Sequence, residues 1–212
     1  MQTPMDARTW AEEAYILADE LRSLACEGLE YAANGYDRHR YERVLRCSAR
    51  LLGGLESRPP ETILREFGGD LHTLTPQIGV DAMVLDGERL LLIQRTDNRL
   101  WCMPGGAAEV GETLAQAAER ELREEAGVEG RARRLAGVFD SRLWHSGVKR
   151  HMVHVVFLVQ HVAGIPARTD ESLDVGYFAQ AELPPLSYGH RQWLPLLLAR
   201  QRQGEPEAYF DP

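Results

Sequence analysis

The chain has 212 residues, 44% of them apolar and 26% charged, which is room for one domain, or one domain with a small helical accessory, and for a core that needs no staples. Acidic residues outnumber basic ones by 32 to 24, a net charge of −8, so duplex nucleic acid is not an expected partner, because such binding draws its affinity from phosphate neutralisation. Mean hydropathy is −0.35, no run of about 18 apolar residues exists, and the first residues lack a basic stretch followed by an apolar one; neither a membrane span nor a secretory leader is expected.

In chain order, residues 9–33 read as a helix. Trp10, Ala14, Leu17, Leu21 and Leu24 recur at helical spacing in one apolar stripe, and Thr9 with Glu12 fits a capping box. Asn34-Gly35 marks a loop. A second helix is expected over 37–55, with Tyr41, Val44, Leu45, Leu51 and Leu52 on its apolar side and Gly53-Gly54 ending or fraying it. Pro59-Pro60 opens a third helix through Phe67, and Gly68 to Pro76 reads as a linker. Beyond it the texture changes. Ile78–Leu85 and Leu90–Gln94 read as strands joined at Asp86-Gly87, 113–126 as a helix, and Val153–Val159 as a central strand. Val175–Phe178 is a short strand, and 191–203 a last helix despite Pro195. The expected organisation is a small α-helical domain at 1–70 followed by an α+β domain at 71–212. The apolar stripe on the first helices needs a partner, and a homodimer is expected. The cysteines Cys26, Cys47 and Cys102 are odd in number and form no Cys-x-x-Cys pair. Buried free thiols in a reducing cytoplasm are expected rather than disulfides or a zinc site.

Chemistry concentrates between Gly105-Gly106 and Gly127-Val128. The paired glycines permit backbone geometry closed to other residues and free carbonyls to point into a site. Thr113 with Gln116 fits a capping box, and Gly127 fits the stop of the helix between. On that helix Glu121, Glu124 and Glu125 share one face at i, i+3 and i+4. Their like charges repel unless something positive binds, and carboxylate oxygens are the ligands that Mg²⁺ and Mn²⁺ choose. Leu114, Ala115, Ala118 and Leu122 form the opposite, packing face. Arg120 lies two turns after Glu112 and is placed to brace loop against helix. Taken alone, Arg-Glu-Leu-Arg-Glu-Glu also fits a solvated acidic surface.

The whole pattern is more specific. Gly106, Glu112 and the run Arg120-Glu121-Leu122-Arg123-Glu124-Glu125-Ala126-Gly127-Val128 resemble the signature of the Nudix hydrolase superfamily over residues 106–128. The hairpin Val80 to Gln94 and the lead-in Trp101-Cys-Met-Pro104 are similar to what precedes that signature. Trp10-Ala-Glu-Glu, Gly28-Leu-Glu-Tyr31, Tyr36 to Glu42 and Asp174-Val-Gly-Tyr-Phe178 resemble a bacterial subgroup that cleaves nucleoside diphosphates linked to another moiety, of the CDP-choline or ADP-ribose pyrophosphatase kind. The resemblance implies an α/β/α sandwich with a mixed sheet. It implies a Mg²⁺ or Mn²⁺ cofactor on Glu121, Glu124, Glu125 and the Gly105 carbonyl. The implied reaction is hydrolysis of a pyrophosphate into a nucleoside monophosphate and a phosphorylated product, with Glu121, Glu124 and Arg120 in the catalytic machinery. A further carboxylate from a later loop completes such sites. Asp170, Glu171 and Asp174 lie where that loop falls, and Glu171, with the longest reach, is the expected base.

Trp144, Arg95 and Arg38 are the candidates for substrate contact. Trp144 suits stacking on a base and equally suits packing, and Arg38, with Arg40 and Arg43, equally suits a solvated helix face. His145, His151 and His154 lack metal-ligand spacing with a cysteine and read as surface or satisfied histidines. Two other functions fit less well: hydrolysis of damaged or surplus nucleoside triphosphates, and ligand-sensing transcription regulation. The second is disfavoured because positions 1–72 carry nine arginines against thirteen acidic residues.

Overall fold

The computed structural model describes residues 7–68, 75–144 and 151–212, with side chains from Trp10 onward. The chain divides near Pro76 into two compact units.

The first unit is helical: α1 (Ala7–Glu30), α2 (Gly35–Glu56) and α3 (Pro60–Phe67). Ala25, Cys26, Leu29, Leu45, Ala49, Ile63 and Phe67 form its core. The buried Ser48 hydroxyl donates to the Ala18 carbonyl at 2.7 Å, and Gly28 leaves room for the Tyr41 ring, which a Cβ would meet at 2.2 Å. Three expectations are corrected. Thr9 lies inside α1 rather than capping it. Asn34 is not merely loop but the N-cap of α2, its side chain accepting the Asp37 amide. Gly53-Gly54 do not end α2; it runs through both and stops at Ser57, whose φ is 55°. At Gly53 the absent side chain matters, because a Cβ would sit 2.8 Å from the Arg58 carbonyl oxygen.

The second unit is an α+β sandwich around a mixed sheet. Its strands are β1 (Gln77–Asp86), β2 (Arg89–Arg95), β3 (Trp101–Cys102), β4 (Gly105–Ala107), β5 (Glu129–Asp140), β6 (Met152–Ala163), β7 (Ser172–Ala179) and β8 (Tyr209–Phe210), and its helices are α4 (Leu114–Ala126) and α5 (Tyr188–Arg202). The sheet runs β3-β2-β1-β6-β5-β8, with β4 also paired to β1 and β7 to β2. The β1–β6 and β5–β8 pairs are parallel and the rest antiparallel.

Period-two alternation sorts the side chains. Val80, Ala82, Val84, Leu91 and Ile93 meet Ala117, Ala118, Leu122 and Ala126 of α4. Met83, Leu90 and Leu92 share the other cluster with Trp193, Leu194, Leu197 and Leu198 of α5. With a helix on each face, β1 and β2 are buried almost throughout, and hence read as apolar runs. The strand β5 escapes sequence reading because it starts polar (Glu-Gly-Arg-Ala-Arg-Arg) and shifts register against β6 at three points, which breaks alternation. The two-residue β3 and β8 and three-residue β4 are too short to leave a pattern.

Leu122 is fully buried where α4 crosses the sheet. Leu122→Ala is expected to lower the unfolding free energy by about 2–5 kcal/mol, read from urea denaturation.

Candidate active site

The helix α4 has the ends its sequence promised. Thr113 and Gln116 form a reciprocal capping box, and Gly127 closes the helix at φ 66°, its amide donating to the Arg123 carbonyl. That frame fixes which side chains face the sheet and which face the loops. Ala117, Ala118, Leu122 and Ala126 are buried, Ala117 and Ala126 in place of the expected Ala115, and Glu121 lies on the border, nearly buried.

Two glycines let the carboxylates approach the sheet. A Cβ on Gly106 would lie 2.5 Å from Glu121 Oε1, and one on Gly105 only 2.3 Å from the Val80 carbonyl oxygen. Neither residue has positive φ; the expectation of unusual backbone geometry is corrected, and the reason for glycine here is space. The Gly105 amide donates to Glu125 Oε2 at 2.7 Å, so the expected ligand Gly105 adjoins Glu125.

Ligand oxygens of Glu121, Glu125 and Glu171 lie within 4.8 Å of one another, although Glu171 arrives from the loop before β7. The three loop acids are all exposed; Glu171 alone of them belongs to the cluster, and Asp174 Oδ1 accepts the adjacent Val175 amide. Burial pushes the Glu125 carboxyl up to about 7, with the charge of Glu121 adding to the shift. Burial also raises Glu121; Arg120 opposes this, while Glu124 and Glu171 reinforce it. These are the marks of crowded carboxylates under-supplied with positive charge, and oxygen-only donors at such spacing suit a hard divalent cation.

Arg120 clamps the loop and helix together, as its spacing from Glu112 suggested. Its guanidinium donates to both oxygens of Glu112 (3.1 and 2.8 Å), to Glu121 at 2.8 Å, to Glu124 at 2.9 Å and to the Ala107 carbonyl at 3.1 Å. Glu124 therefore stands beside the cluster, more exposed and held by Arg120.

Arg95, at the end of β2, lies near enough for its charge to act on Glu125, while its guanidinium grips Asp97 at 2.9 and 2.8 Å. Trp144 is placed otherwise. Its ring packs edge-on against Phe139 and Tyr209 in the α5-side cluster, and its indole N–H donates to Asp211 at 2.7 Å, an arrangement that serves packing. Arg38 is exposed on α2, in the helical unit, and no part of the carboxylate cluster. His154 is only half satisfied, a correction to the expectation: Nδ1 bonds to Asp81, while Nε2 is buried with no hydrogen-bond partner among the described residues; His151 is partly buried, and His145 lies outside the described residues. Cys26 and Cys102 are buried free thiols, but Cys47 is exposed on α2, a correction to the expectation for all three.

Behind Gly105 is a polar group that sequence reading missed. The buried Asp81 carboxylate contacts His190 Nε2 at 3.1 Å and His154 Nδ1 at 3.2 Å, and Ser187 Oγ meets His190 Nδ1 at 2.9 Å. Burial works to raise the Asp81 carboxyl, but the two histidines outweigh it and hold it well below the usual range. One acid inside the apolar run Ile78–Leu85 was the available signal.

A capped helix bearing crowded glutamates, a glycine pair that admits them to the sheet, and a loop acid beside them form one acidic cluster of oxygen donors. The chain belongs to the Nudix family: residues 75–197 match the NUDIX domain. Residues 13–67 match a second model, described as the UDP-X-like, N-terminal oligomerisation domain. Among curated proteins the chain is 28% identical to "Putative ADP-ribose pyrophosphatase YjhB" of Bacillus subtilis, over 84% of each chain. It is 30% identical to an ADP-ribose pyrophosphatase of Methanocaldococcus jannaschii, over 56% of this chain and 71% of that one. Among solved structures, a UDP-X diphosphatase shares the fold with a TM-score of 0.60 at 24% identity, covering 95% of this chain and 99% of that one. The chain is thus a Nudix hydrolase.

Two outcomes follow. Gly106→Ala should displace the Glu121 carboxylate and lower kcat by at least about 100-fold, with the far-UV circular dichroism unchanged. The raised Glu125 carboxyl takes up its proton more readily in the folded state than in the unfolded one. Its contribution to stability is therefore full below its ordinary value of 4.5 and is lost as pH rises through about 7. In urea titrations of metal-free protein, Glu125→Gln should remove this decline between those pH values.

Proposed function

We propose that the protein is a divalent-metal-dependent pyrophosphohydrolase acting on a nucleoside diphosphate linked to another moiety, of the ADP-ribose, UDP-X or CDP-choline kind. The products would be a nucleoside monophosphate and a phosphorylated remainder. The observation that carries this reading is the convergence of Glu121, Glu125 and Glu171. Three oxygen donors fit Mg²⁺ or Mn²⁺, which when bound supplies charge neutralisation for the pyrophosphate and activation of water. The relatives named as ADP-ribose pyrophosphatases support the substrate class.

Each residue has a distinct task. Glu121, Glu125 and Glu171 would hold the cation, with Gly105 beside them. The ligand-range position of Glu171 suits that role better than the role of a free-standing base. Glu124, on the same helix face, more exposed than Glu121 and outside the cluster, would be the carboxylate left to orient a water. Arg120 is committed to carboxylates and the Ala107 carbonyl, so its task is to orient Glu121 and Glu124 rather than to bind phosphate. Arg95 is the cation placed to meet a substrate phosphate once it exchanges Asp97. Trp144 and Arg38 have no part in this reading.

The helical unit supports a homodimer. Trp10, Leu17 and Leu24 on α1, with Tyr31 just past its end, follow at seven-residue intervals and are 55%, 44%, 58% and 75% exposed. Such a stripe is a coiled-coil seam that lacks its second side. Free thiols at all three cysteines are in keeping with a reducing, cytoplasmic setting.

The deciding experiment is a turnover panel of ADP-ribose, UDP-sugars, CDP-choline and nucleoside triphosphates with Mg²⁺ or Mn²⁺. Hydrolysis of a linked diphosphate, abolished by EDTA and restored by metal, is expected; turnover undiminished in EDTA would defeat the reading. Triphosphates as the only substrates would favour the alternative of nucleotide clearance. Glu121→Gln and Glu124→Gln should each lower kcat by about 100-fold or more. By light scattering the protein should be a dimer, and Leu17→Glu with Leu24→Glu should render it monomeric.

A further inference from the structure

We propose that Ser172 is a positioning residue that delivers Glu171 to the carboxylate cluster by fastening its loop to the end of α4; this rests on the metal-site reading above. A helix ends with carbonyls that lack intrahelical partners; in α4 the Gly127 amide takes that of Arg123, and those of Glu124, Glu125 and Ala126 follow it. The loop before β7 and the first residue of that strand supply partners for two of them. The Ser172 hydroxyl donates to the Glu125 carbonyl at 2.7 Å, and the Ala167 amide donates to that of Ala126 at 3.0 Å.

Ser172 is 3% exposed and is the node of the loop. Its oxygen also accepts the Thr169 amide at 3.2 Å, while Thr169 Oγ1 accepts the amide of Glu171 at 3.1 Å. On its other side Ser172 pairs with Arg95 across a register shift, for Gln94 faces Asp174 and Arg95 faces Ser172, so that Leu173 is the extra residue. Such a bulge re-aims neighbouring side chains. The residue that contributes a metal-range oxygen is thus one step from a hydroxyl bonded to the backbone of another, Glu125. Helix and loop, 46 residues apart at Glu125 and Glu171, are fastened by the Ser172 hydroxyl and the Ala167 amide, and of the two the hydroxyl is the one next to Glu171.

The test is a double-mutant cycle with two readouts: kcat and KM on ADP-ribose, or on whichever linked diphosphate the turnover panel identifies, and Mn²⁺ affinity by electron paramagnetic resonance on metal-free protein. Ser172→Ala is expected to lower kcat about 10–100-fold with little change in KM, and to weaken Mn²⁺ binding. Ser172→Thr, which keeps the hydroxyl, should recover most of both. Thr169→Val, which removes only the acceptor for the Glu171 amide, should shift both readouts the same way by less. In a Glu171→Gln background Ser172→Ala should cost less than about twofold more. An equal loss from Ser172→Ala in both backgrounds, or unimpaired Ser172→Ala and Thr169→Val beside an impaired Glu171→Gln, overturns this inference alone. Wild-type kcat and Mn²⁺ binding in Glu171→Gln would remove Glu171 from the site and take the metal-site reading down with it.

Discussion

Mutual repulsion among crowded carboxylates, one buried, one half-buried and one exposed, is the constraint around which the α+β unit is arranged. Glu121, Glu125 and Glu171 are held within a few ångströms of each other, an arrangement that costs stability in the absence of a cation. The fold offsets part of this with the guanidinium of Arg120, the nearby charge of Arg95 and one amide. Arg120 reaches Glu112, Glu121 and Glu124 at once, and the Gly105 amide meets Glu125. What these contacts leave uncompensated is part of the cluster's negative charge, and the proposed cation site rests on it.

The sandwich supplies the rigidity that such a site needs. With α4 on one face and α5 on the other, β1 and β2 are buried on both sides. Asp81, tied to His154 and His190, lies directly behind Gly105. The glycine pair is therefore pinned between a buried hydrogen-bonded network and the glutamates it admits. A small side chain at either position would meet backbone or carboxylate at less than contact distance.

Much of this was legible in the sequence because it is local. The capping box of Thr113 and Gln116, the stop at Gly127, the shared face of the three helix glutamates and the Glu112–Arg120 pair all depend on spacings of eight residues or fewer, and helix geometry fixes them. What was not legible depends on contacts distant along the chain. The Asp81–His190 pair spans 109 residues, and the stitch from Ser172 to Glu125 spans 47; no periodicity encodes either. Trp144 has its partner at Asp211, 67 residues away, so the sequence left its packing and stacking roles equally open. The strand β5 was hidden by its own register shifts, and the passage of α2 through Gly53 depends on the approach of the Arg58 carbonyl, which composition does not reveal.

The central claim is that Glu121, Glu125 and Glu171 together form one divalent-cation site, and it is tested most directly by calorimetric titration of metal-free protein with Mn²⁺. The wild type should show saturable binding with release of protons near pH 7, because the Glu125 carboxyl is raised to about 7 and gives up its proton when the cation binds. The Glu121→Gln, Glu125→Gln, Glu171→Gln triple variant should show neither binding nor proton release. Mn²⁺ binding of unchanged affinity and stoichiometry in that variant would contradict the account.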